Sequence, residues 1–183
     1  VKINGEERQY PQGATYEDVA NDYQQEYENL IALAARDGKI RELFKKMTRD
    51  CEVTFFTLKD DVGNKTYVRS ATMLFLKAVF DVYGREAAQS CRVEFAIGNG
   101  SYISPKGKIN ATEENAAKIR NRMRELVEAK TPFLKRSYSL DNAMELFRKE
   151  GMKDKEKLFR YRRGSFVNIY EMDGYYDYYY GYM

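Results

Sequence analysis

The side chains of this chain that could take part in binding chemistry are concentrated near its C-terminal end, and they are tyrosines and arginines. Seven tyrosines lie between residues 170 and 182, and Arg160, Arg162 and Arg163 precede them. A guanidinium group binds phosphate through paired N–H donors, and a phenol ring offers a flat face on which a base can stack. The candidate ligand-binding residues here are Arg160, Arg162, Tyr176, Tyr178 and Tyr180.

Histidine is absent from all 183 residues. Imidazole is the only side chain with an unperturbed pKa near neutrality, and it is the commonest metal ligand. The easiest routes to proton transfer and to zinc binding are therefore missing, and we expect no metal site and no cofactor in this chain. Cys51 and Cys91 lack metal or redox spacing, so we expect both to be buried and reduced, as in a cytoplasmic protein.

The charge of the chain is unevenly distributed. Residues 1–62 hold nine Lys and Arg against thirteen Asp and Glu, whereas residues 63–183 hold twenty-two against fifteen. This asymmetry predicts two modules, at 1–62 and 63–183, and it makes a polyanion such as RNA a candidate partner of the second one. A solvated basic surface is the alternative. No apolar run approaches the roughly 20 residues that a membrane span needs, so we expect no membrane partner.

The first module has the pattern of a small sheet with one helix. Asn4-Gly5 predicts a tight β-hairpin, and Thr15 predicts the cap of a helix over about residues 16–22. Strands are predicted at 30–35, 39–43 and 52–58, and the order of these elements is that of a β-grasp. The polar residues 59–63 then favour a linker.

The second module alternates helices with strands. Helices are predicted from about residue 67 to 84, after Thr112 and after Ser139, and a strand is predicted over 91–97. The helix after Thr112 should bury Ile119, Met123, Leu126 and Val127. Residues 159–183 are interpreted as aromatic and strand-prone.

Two structural interpretations of the C-terminal tyrosines remain open. If residues 175–182 form one strand, Tyr176, Tyr178, Tyr180 and Tyr182 line one face, which could bind bases. Alternatively they are sheet residues that pack on helices and keep their hydroxyls at the surface. Arg160 and Arg162 would likewise share one side of a strand. The basic residues between 118 and 136 cannot all share one helix face, so we interpret them as solvated.

Residues 53–79, VTFFTLKDDVGNKTYVRSATMLFLKAV, resemble the junction between the TGS domain and the editing domain of threonyl-tRNA synthetase. Residues 2–10 and 18–20 are similar to the TGS pattern. The editing-domain pattern continues, in the same order, in four further segments: residues 96–102, 112–114, 122–126 and 139–147. The resemblance implies an α+β chain, with a β-grasp TGS domain at 1–62 and an editing-like α+β domain with an antiparallel sheet and packed helices at 63–183.

In that family, a His-x-x-x-His pair and a later Cys-x-x-x-His serve the editing of mischarged tRNA. The matching positions in this chain are Arg69, Met73, Tyr179 and Met183. Because none of these side chains replaces a neutral imidazole, the resemblance implies an editing-like domain that has lost its catalytic site. Arg69 could hold a phosphate or carboxylate, or it could pair with Asp173 or Asp177; we expect the pairing.

A TGS domain followed by an editing-like domain without histidine resembles the amino-terminal region of bacterial uridine kinase-like nucleoside kinases. That resemblance implies a noncatalytic accessory region whose partner in cis is a C-terminal P-loop kinase domain, to which ATP and Mg²⁺ would belong. This chain has no Gly-x-x-x-x-Gly-Lys-Ser/Thr segment, begins without methionine and stops in a tyrosine-rich segment. We therefore expect it to be a piece of a longer protein.

Two other function classes remain as alternatives. One is an RNA-binding module related to threonyl-tRNA synthetase, which would hold a tRNA acceptor end without hydrolysing it. The other is a residual hydrolase that would use Asp173, Asp177 or Tyr179.

Overall fold

The computed structural model of the protein describes residues 1–98 and 100–183. Contacts divide the chain into unit 1, formed by Val1–Ser70 with Tyr180–Met183, and unit 2, formed by Ala71–Tyr179. The boundary after residue 62 that the charge balance predicts stays a prediction. Over the described residues, no helix combines the length and the apolar character that crossing a bilayer requires.

Unit 1 is built around one mixed sheet. Its elements are β1 (Lys2–Ile3), β2 (Glu6–Glu7), α1 (Tyr16–Tyr23), a 3-10 turn (Gln24–Glu26), β3 (Ile31–Arg36), β4 (Lys39–Glu42) and β5 (Glu52–Thr57). Within the described residues of unit 1, the strand order in the sheet is β2-β1-β5-β3-β4. Strands β1 and β5 are parallel, and the other neighbouring strands are antiparallel. Helix α1 therefore follows the outer hairpin and precedes the second pair of strands.

The hairpin and the helix of unit 1 confirm the predictions made from local chemistry. Asn4 and Gly5 have φ values of 51° and 88°, the positive pair that a type I′ turn requires. The Thr15 hydroxyl accepts from the Asp18 amide at 3.1 Å, and the Asp18 carboxylate accepts from the Thr15 amide at 2.8 Å. This reciprocal cap starts α1, which then buries Val19 and Tyr23 in the core of unit 1.

Helix α2 (Asp61–Tyr83) begins earlier than the sequence pattern suggests, so the linker prediction is wrong from Asp61 onward. The Asp60 carboxylate accepts from the amide and the hydroxyl of Thr57 at 2.7 and 3.0 Å, and the Asp60 carbonyl accepts from the Asn64 amide at 2.8 Å. Residues 61–63 of this polar stretch therefore belong to a helix and not to a linker without regular structure.

Unit 2 combines packed helices with antiparallel sheets. Its further elements are α3 (Arg85–Ser90), β6 (Arg92–Ile97), β7 (Gly100–Ser104), α4 (Glu113–Glu128), β8 (Leu134–Ser139), α5 (Leu140–Lys149), α6 (Lys153–Arg160), β9 (Phe166–Met172) and β10 (Tyr175–Asp177). Its described residues form a sheet in the order β10-β9-β8 and a separate pair, β6-β7. The expectation of a mixed α+β chain with antiparallel strands and packed helices is confirmed. Asn99, part of the sequence segment resembling the editing domain, lies outside the described residues.

The core of unit 2 lies where α5 packs against β8, β9 and α6. The rings of Phe147 and Phe159 are both buried, with centroids 5.5 Å apart. Ile119 and Leu126 are buried as expected, but Val127 is 60% exposed, so its place in the buried stripe was predicted wrongly.

The prediction that residues 159–183 are strand-prone throughout is wrong in two places. Arg160 ends helix α6, and Arg162 lies in the coil after it, so the two arginines share no strand. Strand β10 ends at Asp177, so the alternation predicted for Tyr176 to Tyr182 does not apply beyond it. Helix α6 was missed because Phe159 is its only fully buried residue, which leaves little periodic signal.

Candidate functional site

A small cleft in unit 2 contains one of the four positions that the editing-site resemblance singles out. Its volume is about 250 Å³, and Tyr179 is among its walls. The polar groups that line it with Tyr179 come from Thr72, Gln89, Cys91, Asp154, Lys155, Tyr175 and Asp177.

A charged pair lies in the wall of this cleft. Lys155 Nζ is 2.9 Å from Asp177 Oδ1, and the Asp177 side chain is only 5% exposed. The Tyr178 amide donates to the same carboxylate oxygen at 2.7 Å. Because the buried carboxylate contacts both a cation and an N–H donor, these two contacts fix the position of Asp177 in the wall of the cleft.

The phenols beside Asp177 stay protonated. Burial, followed by the negative charge of Asp177, raises the pKa of both Tyr175 and Tyr179 well above the usual value for tyrosine. The Tyr179 hydroxyl is buried and has no hydrogen-bond partner among the described residues. A buried polar group of this kind costs about 1–3 kcal/mol when left unpaired.

Two sulfur-containing side chains, Cys91 and Met73, also lie in unit 2. Burial raises the pKa of the Cys91 thiol, which disfavours the nucleophilic thiolate. Met73 is fully buried, and its thioether is only a weak acceptor. The described side chains of the cleft can therefore bind through charge and hydrogen bonds, and none of them is an imidazole.

Arg69 is held by backbone in unit 1 and forms none of the ion pairs expected for it. Its Nε donates to the Tyr182 carbonyl at 2.9 Å, and its guanidinium occupies the space where a Cβ on Gly181 would lie, 2.7 Å from Nη2. Asp173 pairs instead with Lys77 at 3.2 Å, and Asp177 pairs with Lys155. We call the contact of Arg69 with Gly181 and Tyr182 the Arg69 clasp; Met183, the fourth replaced position, follows it and is half-buried.

A cationic surface lies at the end of helix α6. Residues 153–163 contain six basic and two acidic side chains, a balance of +4. Tyr161 is 75% exposed at the helix end, between two arginines in the sequence. We define the α6 surface as Lys157, Arg160, Tyr161 and Arg163.

The cations of the α6 surface are largely unneutralised. Arg160 is 64% exposed and lies 3.8 Å from Glu156, a carboxylate that Arg148 holds more closely at 2.8 Å. Within residues 1–98 and 100–183, Lys157 and Arg163 have no acidic partner within 4.0 Å. This surface is therefore a candidate for binding an anion.

The other predicted ligand-binding residues have different environments. Arg162 donates to the hydroxyl of Tyr178, whose ring packs edge-on against Phe159 at 5.0 Å, so these two residues stabilise the fold. Tyr176 is half-buried, and Tyr180 is 85% exposed in unit 1. Sequence reasoning missed Tyr161, although the run Arg-Tyr-Arg-Arg could have indicated it.

Three of the four basic residues of helix α4 pair with acidic neighbours. Lys118 pairs with Glu114 at 2.7 Å, and Arg120 pairs with Glu113 at 3.3 Å. Arg122 bridges Asp81 and Glu125. These pairs favour a solvated surface over a phosphate site, and that interpretation stays a prediction.

Comparison with known proteins finds relatives among the threonine–tRNA ligases. The chain is 27% identical over 184 residues to the ligase of Thermotoga maritima, which covers 92% of this chain and 27% of that protein. It is 26% identical over 175 residues to the ligase of Rhizobium etli, with 95% and 26% covered. The ligase of Carboxydothermus hydrogenoformans is 24% identical over 176 residues, with 91% and 27% covered.

The chain thus spans about a quarter of the length of the curated relatives it matches. No protein-family model matches it. These comparisons support a domain related to threonyl-tRNA synthetase over most of the chain, and they do not support a uridine kinase parent.

Proposed function

We propose that this chain is a noncatalytic RNA-binding module, and that the RNA it holds is the acceptor end of a tRNA. The observation that carries the proposal is the α6 surface, where exposed cations precede and follow an exposed tyrosine along the chain. Cations of this kind bind backbone phosphates, and an exposed ring stacks on a base at about 1–3 kcal/mol per base. The relatives are tRNA ligases by name, which supports tRNA as the class of RNA.

The proposal assigns a different type of domain to each of the two units. The strand order of unit 1, with a parallel pair at its centre and one helix, supports a TGS-like β-grasp. The buried Met73 and the protonated Tyr179 in unit 2 support an editing-like unit that binds without hydrolysing.

The comparisons support the RNA-binding alternative better than a role as an accessory region of a nucleoside kinase. The kinase domain in cis, and the ATP and Mg²⁺ that would accompany it, stay predictions about a longer protein.

A salt titration tests RNA binding by the α6 surface. Binding of a tRNA acceptor-stem hairpin, measured by fluorescence anisotropy, should weaken linearly on a log–log plot against salt. In Arg160→Ala/Arg163→Ala, the magnitude of the slope should fall by about 2, since each lost phosphate contact removes about one unit. Tyr161→Ala should weaken binding at every salt concentration and leave the slope unchanged.

The matched control is Lys118→Ala/Arg120→Ala on helix α4, which removes the same charge from side chains that are 53% and 55% exposed but already paired. Its slope should stay close to that of the unmodified protein. The proposal is wrong if the hairpin does not bind at low salt, or if the control weakens binding as much as the α6 variant. Hydrolysis of a mischarged tRNA above the buffer rate would contradict its noncatalytic part.

A further inference from the structure

The hairpin of β6 and β7 presents one of its faces to solvent. The register pairs Val93 with Ile103 but Phe95 with Tyr102, because a bulge at this point inserts one extra residue into β6. Since neighbouring residues of β7 point to opposite faces, Phe95 and Tyr102 lie on the face opposite Val93 and Ile103. Ile97, two residues after Phe95, shares the face of Phe95.

The side chains of this face are exposed and apolar. Phe95 is 57% exposed, Ile97 59% and Tyr102 48%. We call these three residues the hairpin face. Within the described part of the chain, β6 and β7 pair only with each other, and a two-stranded sheet alone is marginally stable in water. On the opposite face Val93 is also 48% exposed, whereas Ile103 is half-buried and lines a cavity of unit 2.

The two aromatic rings of the hairpin face form a preformed stack. Their centroids are 5.2 Å apart, and their planes differ by 22°. A flat base can extend such a stack without requiring either ring to move, and every base has a face suited to this contact. The geometry suits a planar aromatic ligand better than a flexible aliphatic one.

The charge around the hairpin favours a nucleic acid over an apolar protein segment. Of the three basic side chains in residues 92–108, Lys106 pairs with Glu94 at 2.9 Å and Lys108 with Glu86 at 3.1 Å, whereas Arg92 has no acidic partner within 4.0 Å among the described residues. Residues 63–183 carry an excess of seven positive charges. Phosphates that flank a stacked base would meet this positive field. A second copy of the chain would carry the same positive charge, so the two copies would repel each other at this face.

We propose that the hairpin face binds unpaired bases of RNA by stacking on Phe95 and Tyr102. This inference rests on the proposed RNA-binding function and assigns it a second surface, separate in sequence from the α6 surface. It predicts that the protein distinguishes RNA with a single-stranded extension from a blunt duplex.

Two RNA probes separate this inference from the proposed function. One is a blunt RNA hairpin, and the other carries a short single-stranded extension that contains 2-aminopurine. The extension should tighten binding by about tenfold, within the range that stacking of one base provides. Fluorescence of 2-aminopurine should be quenched on binding.

Phe95→Ala/Tyr102→Ala should abolish both the tighter binding and the quenching, while affinity for the blunt hairpin stays the same. Phe95→Leu/Tyr102→Leu keeps an apolar face without rings and should lose the same two signals. Circular dichroism checks that the variants fold, which their exposed positions favour.

Each other outcome overturns the inference in a recognisable way. If neither RNA binds at low salt, the proposed function fails together with it. If both RNAs bind but the alanine variant keeps the gain from the extension, only the hairpin inference fails. Retention of that gain by the leucine variant would identify apolar docking instead of stacking. A dimer in sedimentation velocity that the alanine variant dissociates would identify a second copy as the occupant.

Discussion

Single residues of the cleft show which part of its chemistry the sequence could indicate. The replaced positions were identified from the resemblance to threonyl-tRNA synthetase, and two of them, Arg69 and Met73, are four residues apart on helix α2. The pairing of Asp177 with Lys155 was not found, since the two residues are 22 positions apart and only the folded chain brings them to 2.9 Å. The partner of Arg69 was also missed, because every residue has a backbone carbonyl and the sequence does not indicate which one a side chain will contact.

Gly63 gives a prediction at the scale of one residue. A Cβ at this position would lie 2.0 Å from the Thr57 carbonyl oxygen, which is backbone and cannot swing away. Gly63→Ala in a helix would ordinarily gain about 1 kcal/mol, but overpacking against backbone costs about 1–3 kcal/mol or more. We expect the collision to prevail and the free energy of unfolding to fall by about 2 kcal/mol, measured by urea denaturation.

Gly100→Ala is the matched control for Gly63. The nearest atom to a Cβ there is the Ile97 carbonyl oxygen at 3.6 Å, an ordinary contact. This variant should differ from the unmodified protein by less than about 0.5 kcal/mol. Equal stability of the two variants would contradict a destabilising collision between the new Cβ and the Thr57 carbonyl oxygen.

Elements with strong local signals could be predicted from the sequence, and elements held by tertiary contacts could not. The Asn4-Gly5 turn and the caps at Thr15 and Thr112 depend on the nearest few residues, and all three form as expected. Helix α6 has the sequence KDKEKLFR, in which charged residues outnumber apolar ones, and it is positioned by Phe159 against Phe147. Its existence therefore depends on a distant partner.

The cap of helix α1 gives a prediction at the scale of an element. Thr15→Ala removes the hydroxyl that accepts from the Asp18 amide, so the free energy of unfolding should fall by about 1 kcal/mol. Thr15→Ser keeps an equivalent hydroxyl and should retain most of this stability. Chemical denaturation of the three proteins measures the difference, and an alanine variant as stable as the serine variant would contradict the role of the cap.

The titration behaviour of the whole molecule follows from its composition and from burial. Burial is the main cause that raises the pKa of Tyr10 to about 12 and the pKa of Tyr16, Tyr23, Cys51 and Cys91 above their usual values. Each of these groups is neutral when protonated, so the folded chain holds its proton more tightly than the unfolded chain. The resulting stability is complete below the unfolded pKa values of about 8.5 for Cys and 10 for Tyr, and it is lost as the pH rises through the folded values.

We therefore expect the free energy of unfolding to be flat between about pH 6 and pH 8, because no histidine titrates there, and to fall above about pH 9. Urea denaturation over this pH series measures it. In Tyr10→Phe, the decline between about pH 10 and pH 12 should be shallower, since one of the shifted groups is gone. Stability that increases above about pH 10 would contradict the direction of these shifts.

The Arg69 clasp has a practical consequence for dissecting this chain. Unit 1 consists of two segments of the chain, and all of unit 2 lies between them in the sequence. Arg69 and its acceptor Tyr182 are therefore 113 positions apart. No single cut can release unit 1 intact, and a fragment that stops short of Gly181 leaves the guanidinium without its carbonyl acceptor. Constructing an autonomous unit 1 will require the two distant segments to be rejoined by a designed connection, and not merely a shortened chain.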